Sequence, residues 1–339
     1  MPEMSTRYSA LSENDVYRLF LTPSWGKLNF DDRHAALQEL EIRMARRTGR
    51  KPCRVNIVTH QDSPNVVTRG YFDPSDGTIN LNAKFLEPTG FYLKSGFTVA
   101  KAIATLIHEG RHAYQYEMTD QKRFGDKAVM RWNVNQYTYI STGDPRWSSV
   151  VRNPDQRMAL YFFQPVERDA RQFESREFRR IYRTLYKLTG TEDPALKKGL
   201  EIMLETKRLE FDKARTYLTP EVLDRVEKHI ALTHREQFRG DRDYRALLAA
   251  HGMDSETSMG ILDELRGILQ HPEWQDRYCD GLDDMGLDDL SDLDEFDTER
   301  IEASEMPDLN ELLRELLDGG PGGSDKPDQG GWKENRRGM

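Results

Sequence analysis

An α+β fold, with a small β-sheet packed on helices and a largely helical extension after it, is predicted by three features of the sequence. A β-branched run and a hairpin signal stand together between residues 54 and 82. A helical period returns from residue 98, and proline-opened helices follow in series from residue 165.

The elements follow in order. Asn29 to Arg47 reads as a helix that Asp31 or Asp32 can cap, with Leu37, Leu40, Ile42 and Met44 on its apolar face and Gly49 as its stop. Arg54-Val-Asn-Ile-Val-Thr-His60 has strand character. Gly70 to Asn82 reads as two strands joined by an Asp-Pro-Ser-Asp-Gly turn. Thr98 to Met118 is helical, with Val99, Ala102, Ile103, Leu106, Ile107 and Ala113 covering so much of its circumference that burial is expected. Pro165 suits a first helical position in a segment running to about Leu188, and Asp193-Pro194 and Thr219-Pro220 repeat that cap-then-proline signature. A further helix is expected from Ser255, with Met259, Leu262, Leu265, Ile268 and Leu269 on one face.

The 339 residues suffice for one large domain or two modest ones. No apolar run is long enough to span a bilayer, and Met1 to Leu11 shows no basic region followed by an apolar one, so neither a membrane protein nor a conventional secretory substrate is expected. Cys53 and Cys279 are too few for a disulfide framework or a cysteine zinc site, which fits a reduced, cytoplasmic compartment; export of an effector by another route stays open. The net charge of −9 is unevenly spread: Asp276 to Asp318 holds 17 acidic residues and 3 arginines, whereas residues 1–275 sum to +4. Such a stretch reads as disordered and partner-seeking. Within it Leu309, Leu312, Leu313, Leu316 and Leu317 form the stripe of a short amphipathic helix over 308–318. The expected division is an N-terminal helical segment over 1–52, a core over 53–190, a helical extension over 191–272 and an acidic tail over 273–339.

Chemistry concentrates in His108-Glu-Gly-Arg-His112, an H-E-x-x-H inside the apolar helix. On a helix, residues four apart share a face with Cβ atoms roughly 6 Å apart, so two imidazoles can converge on one zinc ion. Glu109, turned by about 100° from His108, stands beside that ion and can take a proton from a zinc-bound water. Chance would produce such a motif somewhere in this chain with a probability of about 2%; the competing reading is a structural histidine pair. A catalytic zinc needs a third protein ligand. Positions 115 and 118 hold Gln115 and Met118, which excludes the H-x-x-G-x-x-H extension, and the next histidine is His229. A carboxylate is the better candidate: Glu167, near the first turn of the helix opened by Pro165, with Glu174 as the rival. Asp169, at i+2, cannot share the face of Glu167 and is read either as a helix-start charge or as an outer support. Tyr137, Tyr139 and Tyr161 are candidates for a transition-state donor.

His108-Glu-Gly-Arg-His-Ala-Tyr-Gln115, with Tyr161-Phe-Phe-Gln-Pro-Val-Glu-Arg-Asp-Ala170 downstream, resembles the zincin metallopeptidases in which a glutamate from a second helix completes the metal site. Within them it looks like the compact ImmA-like and bacterial-toxin or phage-associated members. The resemblance covers Arg54 to Arg180. It implies a zincin-type sheet on the H-E-x-x-H helix, with His108, His112 and Glu167 as zinc ligands and Glu109 as general base. Two departures stand out: Arg111 places a charge inside the motif, and Arg171 stands four after Glu167 where thermolysin-like enzymes keep an aspartate.

The function expected is a zinc-dependent metalloprotease acting on a protein substrate. The alternative is a catalytically silent zincin-fold regulatory or binding protein working through its acidic tail, whose leucine helix would dock a partner or this protein's own basic face. The basic residues Arg168, Arg171, Arg176, Arg179, Arg180, Arg183 and Lys187 raise a nucleic-acid reading, but a solvated helix face explains them, and neither nucleic acid nor membrane is expected as a partner.

Overall fold

The computed structural model describes residues 6–59, 69–87, 97–141 and 144–271. Helices α1 (Glu13–Arg18) and α2 (Thr22–Trp25) lead into α3 (Phe30–Thr48). The cap of α3 is Asn29, whose side chain accepts from the Asp32 amide at 2.9 Å, and not Asp31 or Asp32. Both aspartates instead occupy the first turn, where their charge meets the unpaired amide end of the helix. Gly49 closes α3 with a φ of 71°, a left-handed conformation that glycine adopts without strain.

Strands β1 (Arg54–Val58), β2 (Gly70–Asp73) and β3 (Thr78–Asn82) form one mixed sheet in the order β1-β3-β2. β3 pairs in parallel with β1 and antiparallel with β2. β1 ends at Val58, and His60 lies outside the described residues. The two edges of the sheet differ. Along β1, the Gln38 side chain of α3 acts as a substitute peptide unit: its Nε2 donates to the Cys53 carbonyl at 2.9 Å, and its Oε1 accepts from the Val55 amide at 2.8 Å. His34 Nε2 lies 2.8 Å from the Val55 carbonyl. Along β2, Asn82 donates to the Arg69 carbonyl. That phase of the antiparallel ladder turns the backbone groups of Gly70 and Phe72 outward, away from β3.

Helix α4 (Phe97–Asp120) lies against α3, β2 and β3. Val99, Ala102, Ile103, Leu106, Ile107 and Ala113 are all buried on it, as the period predicts. Gly110 has a steric role: a Cβ there would stand 2.8 Å from Arg50 Nη2. That guanidinium is itself buried in a bidentate pair with Glu41, at 2.5 and 2.6 Å.

Three helices not assigned from the sequence follow: α5 (Lys127–Tyr137), α6 (Pro145–Val150) and α7 (Pro154–Phe163), the last two opened by the same cap-then-proline signature at Asp144-Pro145 and Asn153-Pro154. Then come α8 (Pro165–Thr189), α9 (Pro194–Tyr217), α10 (Pro220–Gln237), α11 (Arg242–Ala250) and α12 (Asp263–Gln270), and the described fold is α+β, as predicted. Prolines open α8, α9 and α10 where predicted. The helix expected from Ser255 begins only at Asp263. The buried Glu227 carboxylate of α10 accepts from the amides of Met259 (2.9 Å), Ile261 (3.0 Å) and Leu262 (2.9 Å), so these donors serve a side chain in place of a helical ladder.

One hydrophobic cluster joins α1–α4, the sheet and the later turns of α8; a second joins α5–α7 with α10–α12. α8 is not the solvated basic face expected of it. Arg168 and Arg179 are buried, Arg171 pairs with Glu210 at 2.6 Å, and Arg180 with Glu177 at 3.0 Å. Arg176 and Lys187 are exposed. The acidic stretch and its 308–318 helix lie outside the described residues, among which no helix is long and apolar enough to cross a membrane.

Candidate metal centre

α4 and α8 are in direct contact, and that contact assembles the site. One helical turn places His108 and His112 together, with their Nε2 atoms 3.1 Å apart. Glu167 enters from the first turn of α8, because Pro165 starts the helix just ahead of it. Its Oε2 lies 3.4 Å from His108 Nε2 and its Oε1 3.5 Å from His112 Nε2. One ligand atom from each of these three residues falls within 4.8 Å of the others. The three residues named as ligands from sequence are thus brought together.

Glu174, the rival, sits two turns along α8 and meets the other nitrogen of His108: its Oε2 is 3.1 Å from Nδ1. A carboxylate there accepts the Nδ1 proton, which leaves Nε2 as the nitrogen directed at Glu167. Gln115 holds the equivalent place for His112, its Oε1 2.9 Å from Nδ1. Tyr139, one of the tyrosine candidates, donates to Glu167 Oε1 at 2.6 Å, and the Tyr161 ring packs edge-on against it. Tyr137 packs instead against Phe238, away from the site.

Glu109 projects toward β2, where its Oε2 accepts from the outward Phe72 amide at 2.9 Å. It is 8% exposed, and burial raises its pKa above the usual carboxylate range despite the two histidines beside it. Burial also works to raise Glu167, but His112, His108 and Arg171 outweigh it and hold the carboxyl at about 2. For His108 burial works downward, while hydrogen bonds with Glu167 and Glu174 raise it to about 10.

The residues fit a divalent zinc ion. Two imidazole nitrogens and a carboxylate form a borderline donor set suited to it, as three protein ligands leave a position open. Glu167 Oε2 is buried with no hydrogen bond of good geometry, an acceptor that a cation would satisfy. Three carboxylates around two imidazoles give the site the negative charge that such an ion offsets.

Gln115, Glu174 and Tyr139 were not assigned these contacts from sequence. Gln115 is one turn past His112 and Glu174 two turns past Glu167, so helical spacing marks both faces; Tyr139 carries no such signal. The chain matches no protein-family model, and no curated protein or solved structure is significantly similar to it.

Proposed function

We propose that this chain is a zinc-dependent metallopeptidase that hydrolyses peptide bonds of a protein substrate. His108, His112 and Glu167 would hold the ion and Glu109 would act as general base. The observation that carries this reading is the convergence of two imidazole Nε2 atoms and one buried carboxylate beside a separate, buried glutamate. A structural histidine pair needs neither a buried carboxylate facing both Nε2 atoms nor a second carboxylate in reach.

Bound zinc supplies Lewis-acid activation of the water and of the scissile carbonyl. The remaining work falls to this chain. Glu109 takes the proton of the attacking water and delivers it to the leaving amine, a task that its raised pKa suits. The outward groups of Gly70 and Phe72 face away from β3, Glu109 takes the Phe72 amide, and an extended substrate peptide would lie along this edge beside Glu109. Tyr139 fixes Glu167 by its hydrogen bond. Cytoplasmic action is part of the proposal, and the buried, unpaired Cys53 accords with it.

The test is metal analysis of the purified chain, joined to a search for new protein N-termini in cells expressing the wild type or Glu109→Gln. Stoichiometric zinc, with termini that appear only for the wild type, is expected. A metal-free wild type, or identical termini from both, would overturn the reading.

A further inference from the structure

Arg111 sits inside the pentapeptide that supplies both histidines, yet its guanidinium crosses to α8. Its Nε donates to Asp169 Oδ2 at 2.7 Å and its Nη2 to Asp169 Oδ1 at 2.9 Å. The rings of Tyr114, Phe173 and Trp132 surround its central carbon, with centroids 4.5, 4.9 and 5.2 Å away. A planar fork held by bonds at its edge and by rings at its faces has little freedom. Asp169 Oδ2 accepts a second bond, from Gln115 Nε2 at 2.7 Å. The other proton of that amide goes to the Val166 carbonyl at 2.9 Å.

Both N–H groups of Gln115 are therefore committed to acceptors that cannot donate, one a carboxylate and one a main-chain carbonyl. Turning the amide over would set its oxygen against both, in a side chain only 1% exposed. The amide orientation is forced, and Oε1 must face His112 Nδ1. A ring nitrogen facing a carbonyl oxygen at 2.9 Å carries the proton, which leaves the lone pair on Nε2.

We infer that Arg111, Asp169 and Gln115 form a positioning relay that fixes His112 as its Nδ1–H tautomer and so presents Nε2 as a metal donor. The metal role rests on the zinc reading; the tautomer rests on the hydrogen bonds alone. The relay leaves α4 at Arg111, passes through Asp169 of α8 and returns to α4 at Gln115, one turn past the histidine it serves. It also ties α4 to the Val166 carbonyl, next to Glu167. Asp169 thus acts from a face that Glu167 does not share.

The experiment uses the full chain, metal-free, with imidazole ¹⁵N spectra at mildly alkaline pH, and measures zinc affinity by chelator competition. Wild type should show His112 as the Nδ1–H form. Gln115→Met keeps the length but removes the acceptor; it should bring in the Nε2–H form and weaken zinc binding by about 10- to 100-fold. Asp169→Asn lets the amide at 115 turn over and should move both readouts the same way, and it decides the matter if the first variant does not fold. A lower melting temperature with an unmoved tautomer in both variants would mean packing alone and overturn the relay, as would a wild-type His112 in the Nε2–H form. A wild type with the Nδ1–H form but no zinc uptake would overturn the zinc reading while supporting the relay.

Discussion

Glu174 Oε2 lies 3.1 Å from His108 Nδ1, while Glu167 Oε2 lies 3.4 Å from Nε2 of the same ring, so two glutamates of one helix divide one imidazole between them. Their spacing of almost two helical turns makes this possible. The roles differ accordingly. Glu167→Ala should abolish zinc binding, whereas Glu174→Ala should keep it with affinity lower by about 10- to 100-fold. Zinc content of the two purified variants checks this; loss confined to Glu174→Ala would reverse the assignment.

Glu109→Gln should keep the fold and the zinc, because an amide still accepts from the Phe72 N–H and leaves both histidines in place. Hydrolysis should fall by about 10²- to 10⁴-fold, since a neutral amide cannot take the proton of the attacking water. Steady-state rates on a cleaved peptide decide it, and a loss of only a few-fold would remove Glu109 from its role.

Acid and alkali should each destabilise the metal-free chain, through different groups. Despite burial, hydrogen bonds with Glu167 and Glu174 raise His108 from 6.5 to about 10. That contribution to stability is full below about 6.5 and is lost as pH rises through about 10. Despite burial, His112 and His108 lower Glu167 from 4.5 to about 2, so its contribution is present above about 4.5 and is lost as pH falls through about 2. Zinc competes with the proton on His108, so its apparent affinity should climb with pH, by up to about tenfold per unit, over the alkaline window in which the metal-free chain weakens. Melting curves and zinc titrations across that window should diverge; parallel trends would contradict the linkage.

Much of this was legible in advance where one residue type has one dominant use. Gly49, Pro165, Pro194 and Pro220 mark helix ends, and a four-residue spacing of histidines marks a face. The fit of Glu167 was legible from the proline that starts its helix. Contacts between distant segments were not. Glu227 draws the amides of Met259, Ile261 and Leu262 out of helical register, although these apolar positions keep a helical period. The basic residues of α8 looked solvated by composition, yet Glu210 and Glu264 from other helices draw Arg171 and Arg168 inward. Arg111 looked like a defect in a metal motif because its partner, Asp169, is 58 residues away.

Gly110→Ala should destabilise the chain by about 1–3 kcal/mol, the usual range for overpacking. The clash is with Arg50 Nη2, which cannot swing aside without breaking a buried pair with Glu41. Denaturant midpoints of the metal-free variant check this; an unchanged midpoint would show that Arg50 yields freely.

The unequal edges of the sheet carry a hazard as well as an opportunity. Gln38 and His34 occupy the outer backbone groups of Val55 and the Cys53 carbonyl beside β1, so self-association by strand pairing is discouraged there. On β2, Glu109 takes the Phe72 amide, and a strand offered to a peptide is equally offered to a second copy of this chain. Its length limits that danger. Four residues offer too short a ladder to hold another sheet edge by themselves. A segment that remains on β2 must gain further contacts beyond the strand, and brevity thereby serves as a filter against aggregation.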